Sequence, residues 1–173
     1  AKVVYAASAG NWIMRHEPEI WARTAKYVML PTYLNYKLTG NLIDSASNQI
    51  GHIPFDYKNR RWMKPGSLTR CFCDVPNEKL CDLVPSGTVI GTITEEVCAL
   101  TGIPAGLPLI STGSDKGCET LGLAVVDSDK ASISLGTTAT IQFSTTQYVE
   151  PQQFLPAYPG AVSYTHLRAH ETR

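Results

Sequence analysis

The sequence predicts an α/β protein whose chemistry lies at the carboxyl end of a strand. The apolar run Leu107-Pro108-Leu109-Ile110, closing in Ser111-Thr112-Gly113-Ser114-Asp115, has the pattern of a buried strand. It delivers one carboxylate to the position where open α/β sheets place their ligands, and so makes Asp115 a candidate general base. Further on, Ala131 to Phe143 alternates and is rich in β-branched residues, the signature of a strand pair whose tight connection is Gly136-Thr137-Thr138. Such a turn can aim backbone N–H groups and hydroxyls at phosphate oxygens. Stretches with helical spacing supply the other half of the class.

In chain order, Glu17 to Tyr27 is expected as an amphipathic helix, because Ile20, Trp21, Ala25 and Val28 fall near one face and Pro18 suits a first turn. A second helix is expected from Thr32 to Leu38, stopped by Gly40, with Lys37 near the negative end of its dipole. Asn41 to Gly51 reads as loop. Trp62 to Cys73 and Pro76 to Leu83 read as helices, and Thr88 to Ile93 as a short strand. Thr94-Glu95-Glu96 before Val97 to Leu100 is a capped helix start with acidic residues in its first turn. Asp115 to Val125 is expected as a helix whose positive amino end can steady a negative base or a phosphate. The polar turn Asp127-Ser128-Asp129-Lys130 is taken as the boundary between two domains, 1–127 and 128–161. No internal repeat is visible.

Composition narrows the class. Apolar residues make up 43% of the 173, enough for a core, and fifteen basic residues balance fifteen acidic ones. Without a basic footprint no nucleic-acid partner is expected. No apolar stretch approaches the length of a membrane span, so neither a membrane anchor nor a location other than the cytoplasm is expected. Five cysteines, an odd number, do not suit a secreted disulfide framework. Cys71-Phe72-Cys73 lacks the second pair a zinc site needs, so free thiols and no metal site are expected.

Both ends look cut. The chain starts at Ala1-Lys2-Val3 without an initiator Met and reads as an internal piece. From Val162 the residues Val162-Ser163-Tyr164-Thr165-His166-Leu167-Arg168-Ala169-His170-Glu171-Thr172 resemble a translated sequencing adapter, with no helix or strand pattern continuing through them. Residues 162–173 are therefore set aside as a non-native tail.

Several further segments share one resemblance. Trp12-Ile13-Met14-Arg15-His16-Glu17-Pro18 is similar to a W-x-x-x-x-x-P stretch, and Tyr33-Leu34-Asn35-Tyr36-Lys37-Leu38-Thr39-Gly40 to a YL-x-x-x-LTG helix end. Asp44-Ser45-Ala46-Ser47-Asn48 resembles a D-x-S-x-A loop, and Thr101-Gly102-Ile103-Pro104-Ala105-Gly106-Leu107-Pro108 resembles TGLPxGxPV. Leu83 to Gly91 sits where a P-x-x-x-x-x-x-x-G segment belongs. With Asp115 and the Gly136 turn, this ordered set resembles the FGGY family of carbohydrate kinases, nearest in feel to its xylulose-kinase-like members.

The resemblance implies the actin-like, ribonuclease-H-like ATPase fold in part: the end of a first, sugar-binding domain, the hinge, and the first strands of a second, nucleotide-binding domain. It implies ATP-dependent phosphorylation of a sugar or polyol hydroxyl, with ATP and Mg2+ as cofactors and a homodimer for the longer protein. A hydroxyl is a poor nucleophile, so one carboxylate must take its proton. The family's base falls on Asp115, its second phosphate-binding turn on Gly136, Thr137 and Thr138, and its substrate contacts on Gly113, Asp115 and Lys116. Lys116 departs from the family, where Asn, Gln or Ala is usual; it could meet an acidic sugar or a phosphate, or point into solvent. The piece alone is expected to be inactive.

Plainer readings stand beside these. Asp115 could be a helix N-cap. Asp44 and Asn48 could approach the cleft or merely hold a loop through Asx turns. Trp12, Trp21 and Trp62 are most simply core residues, and His16 and His52 packed or exposed ones. The same fold could serve a non-catalytic sugar-sensing or scaffold protein.

Overall fold

A computed structural model describes residues 8–51, 53–136, 139–148, 158–161 and 166–172. It opens with two short helices, α1 (Ala9–His16) and α2 (Pro18–Arg23), parted at Glu17 by a non-helical backbone. The helix expected to reach Tyr27 thus ends at Arg23. The Lys26 ammonium donates to the carbonyls of Glu78 and Leu80 at 3.0 and 2.9 Å, and the Tyr27 N–H to that of Lys79 at 2.7 Å. Those bonds hold residues 24–29 out of the helix and outweigh the helical spacing.

Helix α3 (Leu30–Thr39) forms as expected, with Pro31 in its first turn and Gly40 closing it at φ 78°, where a Cβ would be strained. The following segment is not all loop. Ile43–Ser45 forms β1, and a single 3₁₀ turn covers Ala46–Asn48. β1 lies parallel to a later strand, Asp82–Val84, in register Ile43↔Asp82, Asp44↔Leu83 and Ser45↔Val84.

Between them the two expected helices are absent. Phe55–Asp56 (β2) and Arg61–Trp62 (β3) form an antiparallel hairpin, followed by 3₁₀ turns at Leu68–Phe72 and Asn77–Lys79 and by the strand Asp82–Val84 (β4). Pro65-Gly66, with Gly66 at φ 81°, and Pro76 interrupt any longer helix. The buried Arg70 then fixes the connection, donating to the Met63 carbonyl and Asn77 Oδ1 at 2.7 Å each and to the Val75 carbonyl.

Val89–Thr92 (β5) and Pro108–Ile110 (β6) pair antiparallel around α4 (Glu95–Thr101). That helix is capped as expected: Thr94 Oγ1 accepts the Val97 N–H at 3.3 Å, and Gly102 ends it at φ 77°. β6 differs from the expected buried strand. Leu107 and Ile110 are 49% and 45% exposed, because among the described residues β6 pairs only with β5 and its outer face is uncovered.

Helix α5 (Asp115–Gly122) is shorter than the expected run to Val125, ending where Leu123 adopts non-helical torsions. The polar turn after it carries an ion pair of 3.6 Å between Lys130 and Asp127. Ser132–Leu135 (β7) and Ala139–Thr145 (β8) then form the expected antiparallel pair, register Leu135↔Ala139. Tyr158–Pro159 (β9) and His166–Thr172 (β10) complete a sheet of order β7-β8-β10-β9. The absence of any strand pattern after Val162 is thus corrected for 166–172, which pair with β8 along all seven residues. An open strand edge accepts any extended segment through backbone bonds.

Two apolar clusters hold the first part together. Ala46, Ile53 and Phe55 gather Met29, Tyr57 and Leu83, while Cys73, Val75 and Leu80 gather Met14, Trp21 and Tyr27. Trp62 touches both and donates its indole N–H to the Cys81 carbonyl at 2.8 Å. Trp62 and Trp21 are the packed residues expected, but Trp12 is half exposed, stacked on His16 with ring centroids 4.7 Å apart. His52 lies outside the described residues.

Candidate active site

Asp115 stands at the first position of α5, on the surface, directly after the β6 segment. It is not the cap. Ser114 takes that role, its Oγ accepting the Gly117 N–H at 3.2 Å. The Asp115 carboxylate accepts the adjoining Lys116 N–H at 2.7 Å through Oδ1, its one hydrogen bond among the described residues. The Asp115 side chain is exposed and remains open to a ligand.

Lys116 leans along the helix. Its ammonium pairs with Glu119 at 2.9 Å, both side chains half exposed, so neither a purely solvated lysine nor an uncommitted cation describes it. Gly113 packs against the segment after β9: a Cβ there would stand 2.9 Å from Ala161 Cα and 3.1 Å from its Cβ. Gly117 makes the same kind of close approach, 3.4 Å from the Ala161 nitrogen. Small residues here let the segment after β9 lie against the start of α5.

The segment leading to Asp115 is fixed by a hydroxyl network that the sequence reading did not assemble. Ser86 Oγ lies 2.8 Å from Ser47 Oγ, 3.0 Å from Ser45 Oγ and 3.2 Å from the Thr112 carbonyl. Ser111 Oγ donates to the Pro85 carbonyl at 2.9 Å and accepts the Thr88 N–H at 3.1 Å. The Ser47 carbonyl accepts the Ser114 N–H at 3.1 Å. The cluster of serines at 45, 47, 86, 111 and 114 is the only sequence signal of it.

Beneath this network lies Asp44, almost fully buried. Its carboxylate accepts from Thr32 Oγ1 at 2.6 Å, the Ser45 N–H at 2.7 Å, Gln49 Nε2 at 3.1 Å, Asn48 Nδ2 at 3.1 Å and Asn35 Nδ2 at 3.4 Å. Five neutral donors replace the water that a buried carboxylate loses. Asp44 and Asn48 are therefore a joint between α3, β1 and the 3₁₀ turn.

The turn expected to meet phosphate is described only at its start: Gly136 is exposed, with no described atom within 4 Å of the place a Cβ would occupy, and Thr137 and Thr138 lie outside the described residues. α5 and β8 are joined inside by Thr120 Oγ1, which donates to Gln142 Oε1 at 2.7 Å, and by Ser144, which donates to the Val125 carbonyl. Among the described residues no three His, Cys, Asp or Glu side chains gather to hold a metal ion. Among the described residues Cys73, Cys81, Cys98 and Cys118 are free thiols. No helix among the described residues is long and apolar enough to cross a membrane.

The family match and the fold place this α/β chain in the sugar-kinase class. Residues 2–122 match the FGGY family of carbohydrate kinases, N-terminal domain, and the chain belongs to that family. It is 41% identical over 105 residues to the uncharacterized sugar kinase YgcE of Escherichia coli K12, covering 61% of this chain and 21% of that protein. It is 29% identical over 126 residues to the xylulose kinase of the same organism, covering 73% of this chain and 25% of that one. In fold it matches a crystal structure of a xylulose kinase from Brucella ovis with a TM-score of 0.80 at 24% identity, covering 92% of this chain and 33% of that one. The architecture is thus part of the actin-like, ribonuclease-H-like ATPase fold. The chain spans about a quarter of the length of the curated relatives it matches.

Proposed function

We propose that this chain carries the hinge of a kinase that transfers the γ-phosphoryl group of ATP to a hydroxyl of a sugar or polyol, with Asp115 as the general base. The observation that carries the proposal is the Asp115 carboxylate, presented at the start of α5 and left open because Ser114 performs the capping. A base must lie within hydrogen-bond reach of the proton it takes. Here Asp115 Oδ2 accepts the hydroxyl proton as the oxygen attacks phosphorus, while the amino end of α5 steadies the negative charge gathered nearby.

Gly136, with Thr137 and Thr138, is the turn proposed to approach the transferred phosphate. Mg2+ bound to ATP would neutralise charge on the phosphates, and no described cluster of this chain is assigned to it. Gly113 and Lys116 are proposed to border the sugar, Lys116 by way of its pairing with Glu119. A pentulose is the first candidate substrate, supported by the xylulose kinases among the relatives. Residues 1–127 are assigned to the sugar-binding domain and 128–161 to the start of the nucleotide-binding one. The longer protein is expected to work in the cytoplasm as a homodimer.

The test is ADP release by a full-length protein containing this chain, offered ketoses, aldoses, polyols and sugar acids, beside its Asp115→Asn variant. One sugar should drive turnover, and the variant should lose about 10²–10⁴-fold in kcat with KM little changed. Binding of a sugar without turnover would replace this reading with that of a sensor.

A further inference from the structure

Away from Asp115, a cavity of about 540 Å³ opens beside the β2–β3 hairpin, and none of its lining residues belongs to the proposed active site. Three cations border it, Lys58, Arg61 and Lys64. Each is exposed, and none has a carboxylate within ion-pair distance among the described residues. The one acid on the rim, Asp56, is already engaged: its carboxylate accepts the Asn59 N–H at 3.0 Å and Asn59 Nδ2 at 2.7 Å, closing the hairpin turn. The rim therefore keeps an excess of positive charge.

A second observation is independent of the charge. Ser67, which also lines the cavity, has its Oγ buried without a hydrogen-bond partner among the described residues. It occupies the N-cap position of the 3₁₀ turn Leu68–Phe72 and yet makes no capping bond. A buried hydroxyl left unpaired is costly, and an incoming oxygen would satisfy it. Tyr57 and Tyr148 provide the apolar side of the same space. The Tyr57 ring is fixed edge-on against Phe55 with centroids 5.3 Å apart, and its hydroxyl accepts the Gly51 N–H at 3.2 Å, so it is a preformed surface.

We infer that this cavity is a binding site for an organic phosphate, the phosphate lying among Lys58, Arg61, Lys64 and the Ser67 hydroxyl and the carbon body against Tyr57 and Tyr148. Unpaired ammonium and guanidinium groups around one space suit a dianion, since charge-assisted bonds are the strong ones. The aromatic wall favours a ligand with a ring over a bare anion. A sugar phosphate and a nucleotide share this chemistry. Nothing in this inference depends on Asp115 being a base.

The test is titration calorimetry on the 173-residue chain with ribose 5-phosphate, adenosine 5′-monophosphate and inorganic phosphate, with ribose and adenosine as uncharged controls. The expected result is saturable binding of an organic phosphate, weaker binding of inorganic phosphate and none of the controls. Lys58→Ala combined with Lys64→Ala should reduce affinity by about tenfold or more, and Lys130→Ala, on a distant turn, should leave it unchanged. Since the cations are exposed, thermal melts should show both variants folded. Rising salt should weaken binding in the parent chain. Absence of binding, or binding that the double variant leaves intact, overturns the inference; the second result would place the ligand elsewhere, including at the Gly136 turn. Ser67→Ala should weaken binding without lowering the melting temperature, whereas a hydroxyl that is merely buried would show no change in affinity.

Discussion

Asp44 influences its surroundings through a single unbalanced charge, and the group that registers it is Cys81. That thiol is pushed up to about 11 from an ordinary value of 9.0, first by burial and then by the negative charge of Asp44. With a folded value above the unfolded one, the thiol's contribution to stability is fully present below the unfolded value. It is lost as the pH rises towards 11, because only the unfolded chain then gains by releasing the proton. Urea midpoints measured from pH 8 to pH 10 should therefore fall, and Cys81→Ser should flatten the decline between pH 9 and pH 10. Tyr27 and Tyr57, both raised mainly by burial, add a loss of the same sign at higher pH, which the variant should retain. An unchanged slope in the variant would mean that the thiol is not sheltered as its position implies.

Among the elements, the junction of β6 and α5 shows which local rules decide structure. Ser114 caps α5 by accepting the Gly117 N–H, so Ser114→Ala should cost about 1 kcal/mol and be read as a lower melting temperature. Amide exchange at Gly117 should quicken in that variant more than at Val97, which has its own cap in Thr94. The elements legible in the sequence are those specified by adjacent residues. Pro31 with Gly40 bounds α3, Thr94 with Gly102 bounds α4, and the alternation from Ala131 to Phe143 gives β7 and β8. The misread ones depend on distant partners. Residues 24–27 leave the helix because Lys26 and Tyr27 bond to Glu78, Lys79 and Leu80, and Ile43–Ser45 becomes a strand only beside Asp82–Val84. The same division holds around Asp115: its place at the start of a helix is legible in its own segment, whereas the serines that hold the segment come from three separate stretches and meet only in the fold.

At the scale of the whole molecule, the sheet after α5 carries its polarity inverted. On β8 the buried residues are Thr140, Gln142 and Ser144, facing α5, while Ile133, Leu135 and Ile141 of the pair face outward at 66%, 82% and 47% exposure. Leu121 and Leu123 are exposed too, and Leu123 borders with Ile133 a groove of about 380 Å³. An apolar face of this kind belongs against further protein, which agrees with relatives about four times as long as the matched part. Phosphoryl transfer gains most of its rate from donors fixed around the phosphates in a site closed to water. Here Asp115 and Gly136 are both exposed, so among the described residues neither the proposed base nor the proposed phosphate turn is enclosed. The 173-residue chain should consequently release no ADP above background from ATP with any sugar, whereas a full-length protein containing it is expected to do so with one. Sugar-dependent release by the short chain would show that enclosure is not what it lacks, and would require the open carboxylate and glycine turn to suffice by themselves.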